Sequence, residues 1–90
     1  MSETREARLK RMALRSWRRG TKEMDLILGP YADAHLELMQ PGGLDLYDAL
    51  LAENDQDLYP WVTGATVPPE RFRTLIGEIA DFARARIRAG

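Results

Sequence analysis

Two stretches of helical periodicity meet at Gly20, and their meeting point forces the chain round a corner. Upstream, Leu9, Met12, Ala13, Ser16 and Trp17 recur at helical spacing with basic residues opposite them. Downstream, Met24, Ile27, Leu28 and Tyr31 keep the i, i+3, i+4, i+7 pattern of a core stripe. Glycine reaches the left-handed backbone conformation that closes a helix without steric cost. Glu23, in the first turn of the second helix, suits the positive end of the dipole and can reach back to unpaired N–H groups. A tight helix–helix corner thus accounts for Gly20 and gives Glu23 a structural use. It does not account for Leu26. At about 100° per residue, Leu26 points roughly 160° away from the stripe, with Glu23 between the two. Arg19 joins Glu23 and Leu26 if the preceding turn continues helically. An apolar side chain beside a carboxylate and a guanidinium, off the core face, describes a binding surface. Single exposed leucines are nonetheless common.

The rest of the chain repeats the helical pattern. Residues 3–19 form the first helix and 21–28 the second, with Gly29 as its stop and Pro30 opening the next segment. Tyr31, Ala34, Leu36, Leu38 and Met39 make that segment, a shorter third apolar one. Gln40-Pro41-Gly42-Gly43 is the clearest break. A helix over 44–53 carries Leu44, Tyr47, Leu50 and Leu51 on one face, and Asn54-Asp55 ends it or caps the next. Leu58 and Trp61 anchor a short segment, and Thr63-Gly64-Ala65-Thr66 is a loop. Pro68-Pro69 precedes a long helix over 70–88, striped by Phe72, Leu75, Ile76, Ile79, Phe82, Ala83 and Ile87. No segment alternates with period two. The predicted fold class is all-α, a small compact bundle of about five helices forming one domain over 1–90.

At 90 residues the chain can build one modest core and no deep substrate cavity. It has no cysteine, so disulfides and thiolate metal sites are excluded. No apolar run approaches the roughly 18 residues needed to span a bilayer, so membrane insertion is not expected. Glu3 and Glu6 interrupt the basic N-terminus, unlike an acid-poor presequence, and a bacterial cytoplasmic address is expected. Residues 1–22 hold eight basic residues against those two acids, while 23–60 hold nine acids and no lysine or arginine. Either the basic helix packs on the acidic middle and the charges neutralise, or the surface is electrostatically two-sided and steers a partner.

Catalytic and metal-binding constellations are sparse. His35 is the single histidine, with Asp33 and Glu37 its near acids, too few ligands for an ordinary metal site. Ser2 and Ser16 are the two serines, and His35 is the one classical base for a nucleophile. Asp55-Gln56-Asp57 starts like a calcium loop but lacks its glycine and distal glutamate, so helix capping accounts for it better. An Arg-rich first helix supports an alternative reading, a helical nucleic-acid-binding module. The acidic middle would repel phosphate, and no zinc-finger or RNP pattern accompanies it.

Arg19-Gly20-Thr21-Lys22-Glu23, continued by Asp25 and Leu26, resembles the RGxxE signature of the SdhE family of succinate dehydrogenase flavinylation factors and their mitochondrial assembly-factor relatives. A second block, Tyr47 with Leu50 and Leu51, then Asn54-Asp55-Gln56-Asp57-Leu58 and Trp61, resembles that family's Tyr-x-x-Leu-Leu and Asp-x-Asp-Leu-x-x-Trp pattern. The resemblance covers about residues 11–82. It implies a non-enzymatic assembly chaperone for the flavoprotein subunit of succinate dehydrogenase, with fumarate reductase a second client left open. In that family FAD becomes covalently attached to the client, whose own histidine attacks the flavin methyl group. The factor itself binds no cofactor tightly, and a monomer is expected. The matching positions, Arg19, Gly20 and Glu23 with Asp25 and Leu26 beside them, are the implied partner-binding residues.

Overall fold

The computed structural model describes residues 3–89; Met1, Ser2 and Gly90, and with them one of the two serines, lie outside the described residues. The elements are α1 (Arg5–Trp17), α2 (Lys22–His35), α3 (Pro41–Leu51), α4 (Asp55–Thr63) and α5 (Arg73–Ala89). Short 3-10 turns at Leu36–Leu38 and Glu70–Phe72 continue α2 and lead into α5. The predicted all-α class holds, with five helices and no strand among the described residues.

One core joins all five helices: Met12 of α1, Met24, Leu28 and Tyr31 of α2, Tyr47 and Leu50 of α3, Leu58 of α4 and Ile79 of α5 are each buried. The helical stripes put them there, since residues three and four apart share a face. α1 and α2 form an antiparallel hairpin. Arg5 near the start of α1 donates to the carbonyls of Glu37 and Met39 beyond α2. Trp17 at the other end donates its indole N–H to the Asp33 carboxylate, 3.1 Å away.

α1 also runs alongside α3, and here the charge asymmetry is resolved. Arg8 bonds Asp45 at 2.7 Å, Arg11 bonds Asp48 at 2.9 Å and Glu3 at 2.9 Å, and Arg15 reaches the Leu51 carbonyl. The Arg11 guanidinium, hydrogen-bonded to Asp48, holds that carboxyl below the usual aspartate range. The basic helix neutralises the acidic middle, as the first of the two charge readings required. Beneath this layer Ser16 and Tyr47 share a buried hydrogen bond of 2.7 Å, and burial pushes the Tyr47 phenol well up. Tyr31 is likewise raised by burial, to about 12, with the nearby Glu78 carboxylate adding to the effect.

One expected break is absent and another is shorter than expected. Gly29 and Pro30 lie inside α2, which continues to His35. Gly29 serves packing: a Cβ there would run into the Trp17 ring, so the bare backbone makes room for the indole. Proline cannot donate to the carbonyl four residues back. That carbonyl, of Leu26, is approached instead by Arg86 of α5 at 3.4 Å. The break expected at Gln40-Pro41-Gly42-Gly43 is present but shorter: Met39 and Gln40 separate the elements, and Pro41-Gly42-Gly43 already belong to α3. Gln40 is the N-cap and Pro41 takes the first helical position, where a missing N–H is harmless. Asn54 takes the N-cap position of α4, its carbonyl accepting the first helical bonds with no side-chain capping bond, so it belongs to the start of α4 and not to the end of α3. At the C-terminal end residues 70–72 form the 3-10 turn, and the α-helix starts at Arg73.

Candidate functional site

The corner between α1 and α2 divides its residues into two groups. Gly20 sits at φ +109°, in the region that favours glycine, and no atom lies within 4 Å of where a Cβ would be. Thr21 caps α2, its hydroxyl accepting from the Met24 N–H. The carboxylate that closes the corner is Asp25, which accepts a hydrogen bond from the Arg19 backbone N–H at 2.5 Å. Sequence reasoning offered that reaching-back role to Glu23. In the fold Glu23 is the second residue of the helix, behind a threonine that already caps it, and Asp25 has the better approach.

Arg19 is turned inward. Its side chain is 8 % exposed, and its guanidinium donates to Asp55 at 2.9 Å and to the carbonyls of Leu51 and Glu53 at 2.6 Å each. It therefore satisfies carbonyls at the end of α3 and pins the first residue of α4, tying the α1–α2 corner to the α3–α4 turn. A rigid five-donor fork suits this three-acceptor geometry. The Asp55 carboxylate is engaged by Arg19, which fits helix-start chemistry and not a calcium ligand.

Glu23 and Leu26 face out. Glu23 is exposed and makes no hydrogen bond or ion pair among the described residues. Leu26 is 49 % exposed, off the core face as its phase required, while Met24 and Leu28 on either side are buried. Ile27, expected on the core stripe, is only partly buried against it. Glu23 lines a depression of about 320 Å³ with Thr21, Asp55, Gln56 and Tyr59. A larger, more open hollow beside it, lined by Gly20 and Asn54 among others, shares Thr21, Asp55 and Gln56. The structure thus brings Gly20, Glu23 and Leu26 to the surface and keeps Arg19 and Asp25 for the fold. Sequence reasoning missed Tyr59 and Gln56 as neighbours of Glu23. Their only signal was helical spacing from Asn54, which cannot say that α4 lies against the start of α2.

Other polar groups are engaged internally. His35 stacks on Tyr31 at 4.2 Å and directs Nδ1 to the Tyr31 carbonyl at 3.0 Å. Ser16 is buried against Tyr47 and the Met12 carbonyl. Among the described residues no three metal-ligating side chains converge, and no helix is long and apolar enough to cross a membrane. The arginines of α1 that motivated a nucleic-acid reading are spent on α3 and on backbone carbonyls, which removes the basis of that reading. What the molecule offers is a small helical platform with a notched, partly apolar surface around Glu23.

The chain belongs to the flavinator of succinate dehydrogenase family, whose sequence model matches residues 10–83. Among curated relatives, it is 40% identical over 74 residues to the mitochondrial succinate dehydrogenase assembly factor 2 of Meyerozyma guilliermondii, covering 79% of this chain and 55% of the relative. The factor of the same name from Candida glabrata is 39% identical over 88 residues (92% of this chain, 58% of the relative). That from Schizosaccharomyces pombe is 33% identical over 86 residues (93% and 62%). The chain thus spans little more than half the length of the relatives it matches. These are eukaryotic mitochondrial proteins, which overturns the expected bacterial cytoplasmic address. The acids behind that expectation belong to the fold: Glu3 pairs with Arg11, and Glu6 sits in the first turn of α1. A folded helix carries no information about a targeting leader.

Proposed function

We propose that this protein is a non-enzymatic assembly factor that captures the flavoprotein subunit of succinate dehydrogenase and promotes its covalent attachment of FAD. The reading rests on family membership, and the observation that carries it to particular residues is Glu23. It is exposed and without an internal partner among the described residues, beside a depression and in front of a corner that Arg19 and Asp25 hold rigid. A carboxylate in that position accepts charge-assisted bonds from an arginine or backbone N–H of the client. The bare Gly20 lets another backbone approach, and Leu26 adds apolar contact. Arg19 and Asp25 act as positioning residues behind them, a narrower role than the sequence suggested.

FAD is the client's cargo and not a resident of this chain. The depression at Glu23 is lined by two carboxylates and no cation, a poor cradle for a pyrophosphate. Bond formation is left to the client, and this chain contributes by holding the client in the arrangement that allows it. A monomer suffices for that role.

The test is to incubate the purified apo flavoprotein subunit with FAD, with and without this protein, and to measure flavin fluorescence of the denatured subunit in a gel. More covalent flavin in its presence is the expected result. Equal fluorescence in both arms would overturn the assignment.

A further inference from the structure

The apolar stripe of α5 outlasts the core it packs against. Leu75, Ile76 and Ile79 are buried, Ala83 is half-buried, and Ile87 one turn further is 79 % exposed. Ile27, Tyr59, Val62, Ala80, Ala83 and Ile87 line an apolar groove of about 280 Å³ between α2, α4 and α5. Tyr59, 43 % exposed, also lines the depression that holds Glu23, so two hollows meet at one phenol ring. On α2, Glu23 and Ile27 lie one turn apart on a shared face. On α4, Gln56, Tyr59 and Thr63 keep to the same face for about 10 Å of helix axis. The outcome is one continuous strip, acidic at Glu23, apolar through Ile27 and Tyr59, and basic at Arg84 beside Ile87.

Charge order and shape select what fills it. Glu23 has no ion pair among the described residues, and the one pair Arg84 makes, with Asp81, is exposed on both sides and leaves the guanidinium exchangeable. A complementary segment presents a cation to Glu23, apolar side chains to Tyr59 and Ile87, and a carboxylate to Arg84. A second copy laid antiparallel would match the charges but would set a groove against a groove, leaving both hollows unfilled. We propose that this strip is a docking groove for a protruding segment of the client, ordered cation, apolar, carboxylate along α4 from Glu23 to Arg84. The inference rests on the assembly-factor reading and extends the contact surface beyond the α1–α2 corner to α4 and α5.

The experiment measures capture of the purified succinate dehydrogenase flavoprotein subunit by the full chain and by Ile87→Glu, Tyr59→Ala and Arg84→Glu. Ile87 and Arg84 are exposed, so those two variants keep the fold, as circular dichroism will verify. Ile87→Glu and Tyr59→Ala should each weaken capture about tenfold or more, the scale of a lost anchor residue. Arg84→Glu should weaken it less and mainly at low salt. If the unaltered chain captures the subunit and all three variants do so equally well, the groove is not the docking site and the assembly-factor reading stands. If the unaltered chain captures nothing, both fall. If Ile87→Glu leaves capture unchanged but alters the protein's own sedimentation, the strip joins two copies and the proposal is wrong.

Discussion

Arg19 and Glu23 stand four residues apart in the same corner and have opposite fates. The Arg19 side chain is 8 % exposed and spends its guanidinium on three acceptors from the α3–α4 turn. Glu23 is exposed and bonds to nothing among the described residues. Substitution at either would abolish function if the fold and the surface both matter, so a functional assay alone cannot tell them apart. The difference lies in where the energy is stored: Arg19 is spent on the fold, and the function proposed above assigns Glu23 to recognition.

The sharpest contrast comes from Arg19→Ala, the largest expected loss of stability. It leaves Asp55 and the Glu53 carbonyl without their donor and the Leu51 carbonyl with Arg15 alone, and breaking a mostly buried pair in this way costs about 3–5 kcal/mol. Chemical denaturation measures it. Arg19→Lys should recover little, because one ammonium cannot span three acceptors. A stability change below about 1 kcal/mol for Arg19→Ala would mean the clamp is idle.

The core behind the clamp can be loosened without touching Glu23 by raising pH. Tyr31 is held up at about 12 and Tyr47 is raised further in direction, both by burial. An unfolded tyrosine ionises near 10. Above that pH the unfolded chain releases protons that the folded one retains. Stability is therefore full below about pH 10 and falls as pH rises towards the folded values. Denaturant midpoints taken from about pH 8 to 11 should fall beyond 10, and Tyr47→Phe should flatten the decline.

Gly29→Ala probes the hairpin. The added methyl runs into the Trp17 ring, so the indole must move and its bond to Asp33 is put at risk. Overpacking of this kind costs about 1–3 kcal/mol. Thermal melting with tryptophan fluorescence reports both the loss and the displaced ring. Smaller again is the pair on α2. Ile27→Ala, at a half-buried site, should cost about 1–2 kcal/mol, and Leu26→Ala should stay within about 0.5 kcal/mol. Equal losses at the two sites would mean that α2 is phased differently.

These sites also mark what the sequence could disclose. The phase of α2 was legible, because Met24, Leu28 and Tyr31 repeat at helical spacing and Leu26 does not share their face. All four α3 positions on the expected stripe are buried for the same reason. Gly29-Pro30 was misleading, because the residues that explain it, Trp17 and Arg86, are distant in sequence. The inward turn of Arg19 was illegible for a related reason. Two of its acceptors are backbone carbonyls more than thirty positions away, and carbonyls carry no sequence signal. Glu23 and Leu26 were placed correctly at the surface by local geometry alone, whereas Tyr59 joined them only through tertiary packing.

Glu23→Ala, with stability and client capture measured on one preparation, tests the division between fold and surface most directly. Losing a carboxylate from the first turn of a helix costs on the order of 0.3–1 kcal/mol of stability. Truncating a charged contact at the heart of an interface costs about 2–5 kcal/mol of binding. The expected result is a denaturation midpoint close to that of the unaltered chain, with capture of the flavoprotein subunit weakened at least tenfold. A collapsed midpoint with undiminished capture by the folded fraction would contradict the account and make Glu23 one more residue of the corner.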